Sequence, residues 1–167
     1  EPIIPEIDES LINIKQSSDK NDSDENEAYE KQIKRLVFAK YKYRCLVTGV
    51  GYNWKELGQK KHSWKGITGA HIKPRAHEGP YSTDNIIPLI EPIHQLFDKG
   101  IFTIDSDLSI KIHEMALQQP SLSNFHDYNQ KKLTFPDGIR ISSEYLKHHR
   151  SHVYGNFLTA SQIRRLS

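Results

Sequence analysis

The sequence predicts an α+β fold built from small antiparallel hairpins and flanking helices. Three observations point there. Two short β-branched runs, 67–72 and 85–90, are separated by a Gly/Pro/Ser-rich loop and followed at once by a helical segment ending at Gly100. A second pair of alternating runs, 101–104 and 108–112, flanks Asp105-Ser106-Asp107, a hairpin signature. Tyr29, Ile33, Leu36, Val37 and Tyr41 recur at helical spacing and mark an amphipathic helix over 25–42.

Each element has a local reason. Ser23 or Asp24 is expected to cap the first helix, with Glu25 and Glu27 at its positive end. Cys45-Leu46-Val47-Thr48 is a short apolar run closed by Gly49, hence a strand or a tight turn. Residues 50–65, polar and carrying Trp54 and Trp64, read as a loop. Pro74 stops the 67–72 strand, and Pro88 assigns the 85–90 strand to an edge. Pro92 suits the first turn of the following helix, and Gly100 its end. Ser143 to Tyr154 and Thr159 to Arg165 complete the set as two more helices.

The 167 residues suffice for one ordinary domain. No apolar run approaches the roughly 18 residues of a membrane helix. A single cysteine, Cys45, excludes a disulfide framework and a paired-cysteine zinc knuckle, so a cytoplasmic setting is expected. The start, Glu-Pro-Ile-Ile-Pro, lacks an initiator Met and a leader, as expected of part of a longer chain.

The net charge of +2 hides a division. Residues 1–30 carry ten acids against Lys15 and Lys20, while residues 31–167 stand at +10. Such a body suits a polyanion, nucleic acid above all, although a solvated basic surface has the same composition. Residues 1–24 read as an acidic arm or linker and 25–167 as the functional domain.

The chemistry gathers in one ordered stretch: His71 on a strand, a loop, Asn85, a second strand, then a helix bearing His94 and Asp98. The last two are four residues apart and share a helical face. A strand pair running into a helix can set His71 opposite them. That combination offers an imidazole base and N/O donors for a divalent metal, the two needs of phosphodiester hydrolysis. Asn85 can bind backbone carbonyls and hold the loop.

The set Cys45-Leu-Val-Thr-Gly49, Gly69-Ala-His-Ile-Lys-Pro74, Asp84-Asn85 and Ile93-His94-Gln-Leu-Phe-Asp98-Lys-Gly-Ile-Phe-Thr-Ile-Asp105 resembles the HNH endonucleases. It is most similar to the branch whose motifs read "AHI-P", "DN" and "H-LFD-G", found in restriction and defence proteins. The stretch Glu144 to Tyr154 is similar to that branch's closing helix. The resemblance implies a ββα-metal core, with His71 as general base, Asn85 as loop organiser and His94 as metal ligand. It also implies a divalent cofactor: Mg²⁺ or Mn²⁺ first, with Ni²⁺ and Zn²⁺ as alternatives.

One position departs from the family. The residue before the base histidine, often a ligand there, is Ala70. Asp98 is therefore the expected second metal donor, with His149 next, and an Asp at position 70 is expected to be tolerated. Lys73, Arg75 and His77 in the loop, and Lys60 and Lys61 before it, are candidates to hold phosphates. Tyr81 is placed to stack on a base or sugar. The remaining histidines read as surface or loop residues.

The expected function is a divalent-metal-dependent DNA endonuclease, the cleavage module of a bacterial restriction or defence protein. A fused target-recognition domain and a homodimer fit that setting. A stand-alone non-specific nuclease toxin and a non-catalytic nucleic-acid-binding ββα module are the alternatives.

Overall fold

The computed structural model describes residues 22–51, 58 and 66–166. The acidic arm at 1–24 falls almost wholly outside that range, as do Trp54, Lys60, Lys61 and Trp64. Helix α1 spans Asp22–Lys40, so Ser23 and Asp24 lie inside its first turn rather than before it. Strands β1 (Ile67–His71) and β2 (Ile86–Ile90) pair antiparallel, Ile67 opposite Ile90 and His71 opposite Ile86. Helix α2 (Glu91–Asp98) follows β2 without a break. A second hairpin, β3 (Phe102–Ile104) and β4 (Ile110–Ile112), precedes two single-turn helices, α3 (Glu114–Leu117) and α4 (Ser123–His126). Helices α5 (Ser143–His152) and α6 (Ala160–Leu166) close the order. Mixed helices and small antiparallel sheets make this an α+β fold.

The β1–β2 hairpin is packed by α1 and α2, both of which contact β2. That explains its composition. Ile86, Ile87 and Leu89 are all fully buried, and a strand covered on both faces reads as a continuous apolar run. Each such side chain contributes about 1.5–3 kcal/mol by burial. Pro88 sits opposite Gly69 in a two-stranded sheet, where a missing N–H goes unmissed, and its carbonyl accepts from the Leu46 amide at 2.9 Å. Cys45 to Thr48 forms a turn, closed by Gly49 N–H to the Cys45 carbonyl at 2.9 Å, and Cys45 is buried.

Gly100 ends α2 in the left-handed region, φ +73°. A Cβ there would lie 2.0 Å from the Val153 carbonyl oxygen, and Gly155 N–H donates to the Gly100 carbonyl at 2.9 Å. Only glycine lets the end of α2 meet the end of α5 this closely. Helices α3 and α4 have no counterpart among the sequence expectations, since four residues are too few for a helical period to show. His113 caps α3 by accepting from Met115 N–H at 3.1 Å, and His126 Nε2 donates to the Ala116 carbonyl.

His149 links α5 to this core. Its ring stacks on Phe97, centroids 3.9 Å apart and planes within 6°. Nε2 lies 3.1 Å from the Phe97 carbonyl, which can only accept, so Nε2 carries the proton. Nδ1 then accepts from the Thr103 hydroxyl at 2.7 Å. Both nitrogens are occupied and the residue is 1% exposed, which corrects the expectation of His149 as a reserve metal donor. Burial, outweighing the Phe97 carbonyl and Asp98, pushes this imidazole down to about 4.

A neutral histidine of this kind makes stability depend on pH. Above the unfolded value of about 6.5 neither state binds the proton. Between there and about 4 the unfolded chain binds it and the folded one does not, so stability falls as pH falls. Denaturant unfolding at stepped pH should show a loss of about 3 kcal/mol from His149 across that window. His149→Gln should reduce the slope even though it lowers stability at neutral pH, leaving the share of His71, which is lowered to about 4 as well; an unchanged slope would show that His149 does not contribute to it.

Candidate active site

His71 is the last residue of β1, and the chain then enters a tight loop that returns as β2. Asn85 holds that loop shut. Fully buried, its Oδ1 accepts from Lys73 N–H at 2.8 Å, and its Nδ2 donates to the carbonyls of Lys73 (3.1 Å) and Pro80 (2.9 Å). Its own carbonyl accepts from Ile72 N–H at 2.9 Å. Both ends of the 73–80 segment are thus tied to one side chain. The loop crosses itself so closely that a Cβ at Gly79 would lie 1.8 Å from the Lys73 carbonyl oxygen.

The imidazole of His71 packs edge-on against Tyr81, centroids 4.5 Å apart and planes at 88°. Tyr81 is therefore a support for His71, not a face free to stack on a base. The same ring takes the Arg75 guanidinium at 4.5 Å and the Lys34 ammonium at 5.5 Å. Arg75 also reaches Glu30 of α1 at 3.3 Å. Burial first, then the charges of Arg75 and Lys34, lower His71 to about 4; Asp98 opposes the shift and His94 adds to it. The ring is therefore neutral at physiological pH. Its Nε2 is buried and has no hydrogen-bond partner.

His94 lies on α2, which packs on β1. Thr68 of β1 donates its hydroxyl proton to the Leu89 carbonyl at 3.1 Å. The 2.6 Å contact between Thr68 Oγ1 and His94 Nδ1 must then be donated by the ring. Nε2 is left pointing along the helix at Asp98 Oδ2, 3.1 Å away. Two acceptors at that distance repel unless a proton or a cation lies between them. Two donors held at right angles about 2.1 Å from one ion would stand about 3.0 Å apart. The pair is open to solvent, His94 being 21% and Asp98 57% exposed.

The donor set fits a hard divalent ion that takes one or two protein ligands and completes its shell with phosphate and water. Among the described residues no three or more His, Cys, Asp or Glu side chains gather to hold an ion. Ala70 cannot be adapted to supply a third. It is fully buried in the apolar core, which overturns the expectation that an Asp would be tolerated there.

The other expected residues are dispersed. Lys73 borders a hollow against α5, and His77 lies 3.0 Å from His148, which lines that hollow. Arg75 is turned to Tyr81 and Glu30, and Lys60 and Lys61 lie outside the described residues. Thr68 was not among the expected site residues. Nothing in the sequence distinguishes it from any other strand threonine until the β1–α2 packing sets it beside His94.

Residues 45–105 match the model of a family described as HNH endonuclease. No curated protein matches the chain. A solved structure described as a modification dependent TagI restriction endonuclease is similar at a TM-score of 0.49 and 24% identity. The alignment covers 78% of this chain and 40% of that one, so this chain spans less than half of that structure's length. Among the described residues, no helix is long and apolar enough to cross a membrane.

Two substitutions test this geometry by urea unfolding. Asn85→Ala removes all three side-chain hydrogen bonds and strands buried backbone groups, and should cost about 2–4 kcal/mol. Ala70→Asp places a carboxylate in the core and should cost at least about 3 kcal/mol. A change under about 1 kcal/mol in either would contradict the described packing.

Proposed function

We propose that this chain, whose residues 45–105 match the HNH endonuclease family model, is a divalent-metal-dependent DNA endonuclease. The observation that carries the reading is the open His94–Asp98 pair, its facing acceptor atoms 3.1 Å apart, on the helix packed against the strand of a neutral His71. When bound, a divalent ion supplies positive charge beside the scissile phosphate and the leaving 3′ oxygen.

The chain's own residues do the rest. His71 accepts the proton of the attacking water, a role for which its neutral ring is ready. Tyr81 holds that ring edge-on, and Arg75 and Lys34 oppose a proton already resting on it. Thr68 fixes the tautomer of His94 so that Nε2 presents its lone pair. Asn85 keeps the loop after His71 from drifting, and Asp98 supplies a hard oxygen that suits Mg²⁺ or Mn²⁺.

In this reading residues 25–167 form the nuclease domain and residues 1–24 an acidic linker. The "AHI-P", "DN" and "H-LFD-G" motifs support a place as the cleavage module of a bacterial restriction or defence protein. A fused target-recognition domain and pairing of two copies for a double-strand cut would fit that place.

Incubation with supercoiled plasmid tests the reading. Nicked and linear products should form with Mg²⁺ or Mn²⁺ and not with EDTA. His71→Ala should lower the rate by at least about 10²-fold while metal affinity stays unchanged. His94→Ala should be rescued in part by raised Mn²⁺, and Asp98→Asn should weaken metal binding in a titration. An absence of metal-dependent cleavage would leave the non-catalytic ββα module as the better account.

A further inference from the structure

A second cationic feature lies outside the His71–His94–Asp98 site. Helix α5 and Lys73 border an open hollow of about 210 Å³, whose lining includes Lys73, Lys147, His148, Ser151 and His152. His77 reaches its edge, with Nδ1 3.0 Å from Nε2 of His148. His148 and His152, one turn apart, stack with centroids 4.4 Å apart and planes within 14°. His152 Nδ1 donates to the His148 carbonyl at 3.3 Å, so its Nε2 is the nitrogen left open. Two imidazoles and two lysines line one concavity, and a third imidazole, that of His77, meets it through His148.

We propose that this hollow is a phosphate subsite that grips the nucleic-acid backbone beside the strand position held at His71. The inference rests on the nuclease reading for its ligand and extends it to residues of α5. Lys73 lies two residues beyond His71, within about 7 Å along the chain, which is within reach of a neighbouring phosphate of the same strand. The backbone of Lys73 is also fixed, because Asn85 binds both its N–H and its carbonyl. Lys147 and Ser151 supply a charge and a hydroxyl from the helix side. Glu144 also lines the hollow. It lies one turn before His148, so the phosphate seat falls toward Lys147, Ser151 and His152.

The geometry adds a proton linkage. In the 3.0 Å contact one of His77 and His148 must donate and the other accept, so the empty site cannot hold both rings charged. Burial, then the neighbouring His152, His77 and Lys73, hold His148 below its ordinary value. A phosphate oxygen can accept from each ring in turn and replaces repulsion by attraction. Facing the imidazoles from the loop are Lys73 and His77; from α5 come Glu144, Lys147 and Tyr145. Of these only the histidines titrate near neutrality. Nucleic acid should therefore bind with proton uptake, more tightly as pH falls.

Fluorescence anisotropy with a labelled duplex, using the full chain in EDTA, reads this directly. The unmodified chain should bind roughly ten-fold more tightly at about pH 6 than at about pH 8. His148→Ala and His152→Ala should each lose most of that gain and match the unmodified chain at the higher pH. Lys147→Ala should weaken binding at both and lower the salt slope by about 1. Histidine variants that keep the full pH dependence would overturn the proposal. So would a pH dependence that appears only when EDTA is replaced by Zn²⁺, which would make the cluster a metal site. Plasmid cleavage separates the two readings: cleavage with an unchanged histidine-variant binding profile refutes only the subsite. Histidine-dependent binding without metal-dependent cleavage refutes only the nuclease.

Discussion

The three hydrogen bonds of the Asn85 amide are the constraint on which the site depends. A loop that leaves a strand at His71 and returns at Ile86 has only one short 3-10 turn, Arg75–His77, of its own to fix its path. One buried side chain satisfies an N–H and two carbonyls of that loop, and so converts a floppy connection into a rigid one. Everything nearby inherits the rigidity. Tyr81 is held where it braces His71, Arg75 is aimed at Tyr81 and Glu30, and Lys73 is pinned beside α5. A buried amide with unmet partners is expensive, so the loop has one low-energy path.

Three histidines in one small domain play three roles because their surroundings differ. His149 is buried with both nitrogens bonded and is a core residue. His71 is half-buried beside two cations, which keeps it neutral without satisfying its Nε2. His94 faces solvent, with one nitrogen committed to Thr68 and the other turned to a carboxylate. The first arrangement spends the ring on packing. The other two leave a lone pair free, which is what proton transfer and metal ligation require.

Much of this was legible in the chain. Short apolar runs over 67–72 and 85–90, the Pro92 start and the Gly100 stop located the hairpin and helix to within a residue or so. The i,i+4 spacing of His94 and Asp98 placed both on one helical face, where they stand 3.1 Å apart. Other parts were not legible. Ala70 reads as a vacant ligand position in a motif, yet it is fully buried among the core residues. His149 reads as one histidine among several on a basic helix, yet α5 turns it inward onto Phe97. Helices α3 and α4 are too short to show a period; His113 caps α3, and His126 of α4 bonds the Ala116 carbonyl of α3.

The sequence by itself determined which residue types stand in which order and on which elements, because strand and helix periods are local properties of the backbone. It also determined the charge contrast between the first 30 residues and the rest. Tertiary structure alone decided which side chains meet. Thr68 and His94 are 26 positions apart, His77 and His148 are 71, and Thr103 and His149 are 46. Contacts across such separations follow from how sheets and helices pack, and packing depends on the volumes of all the buried side chains together. The tautomer of His94, the neutrality of His71 and the crowding at His148 arise there and have no local signature.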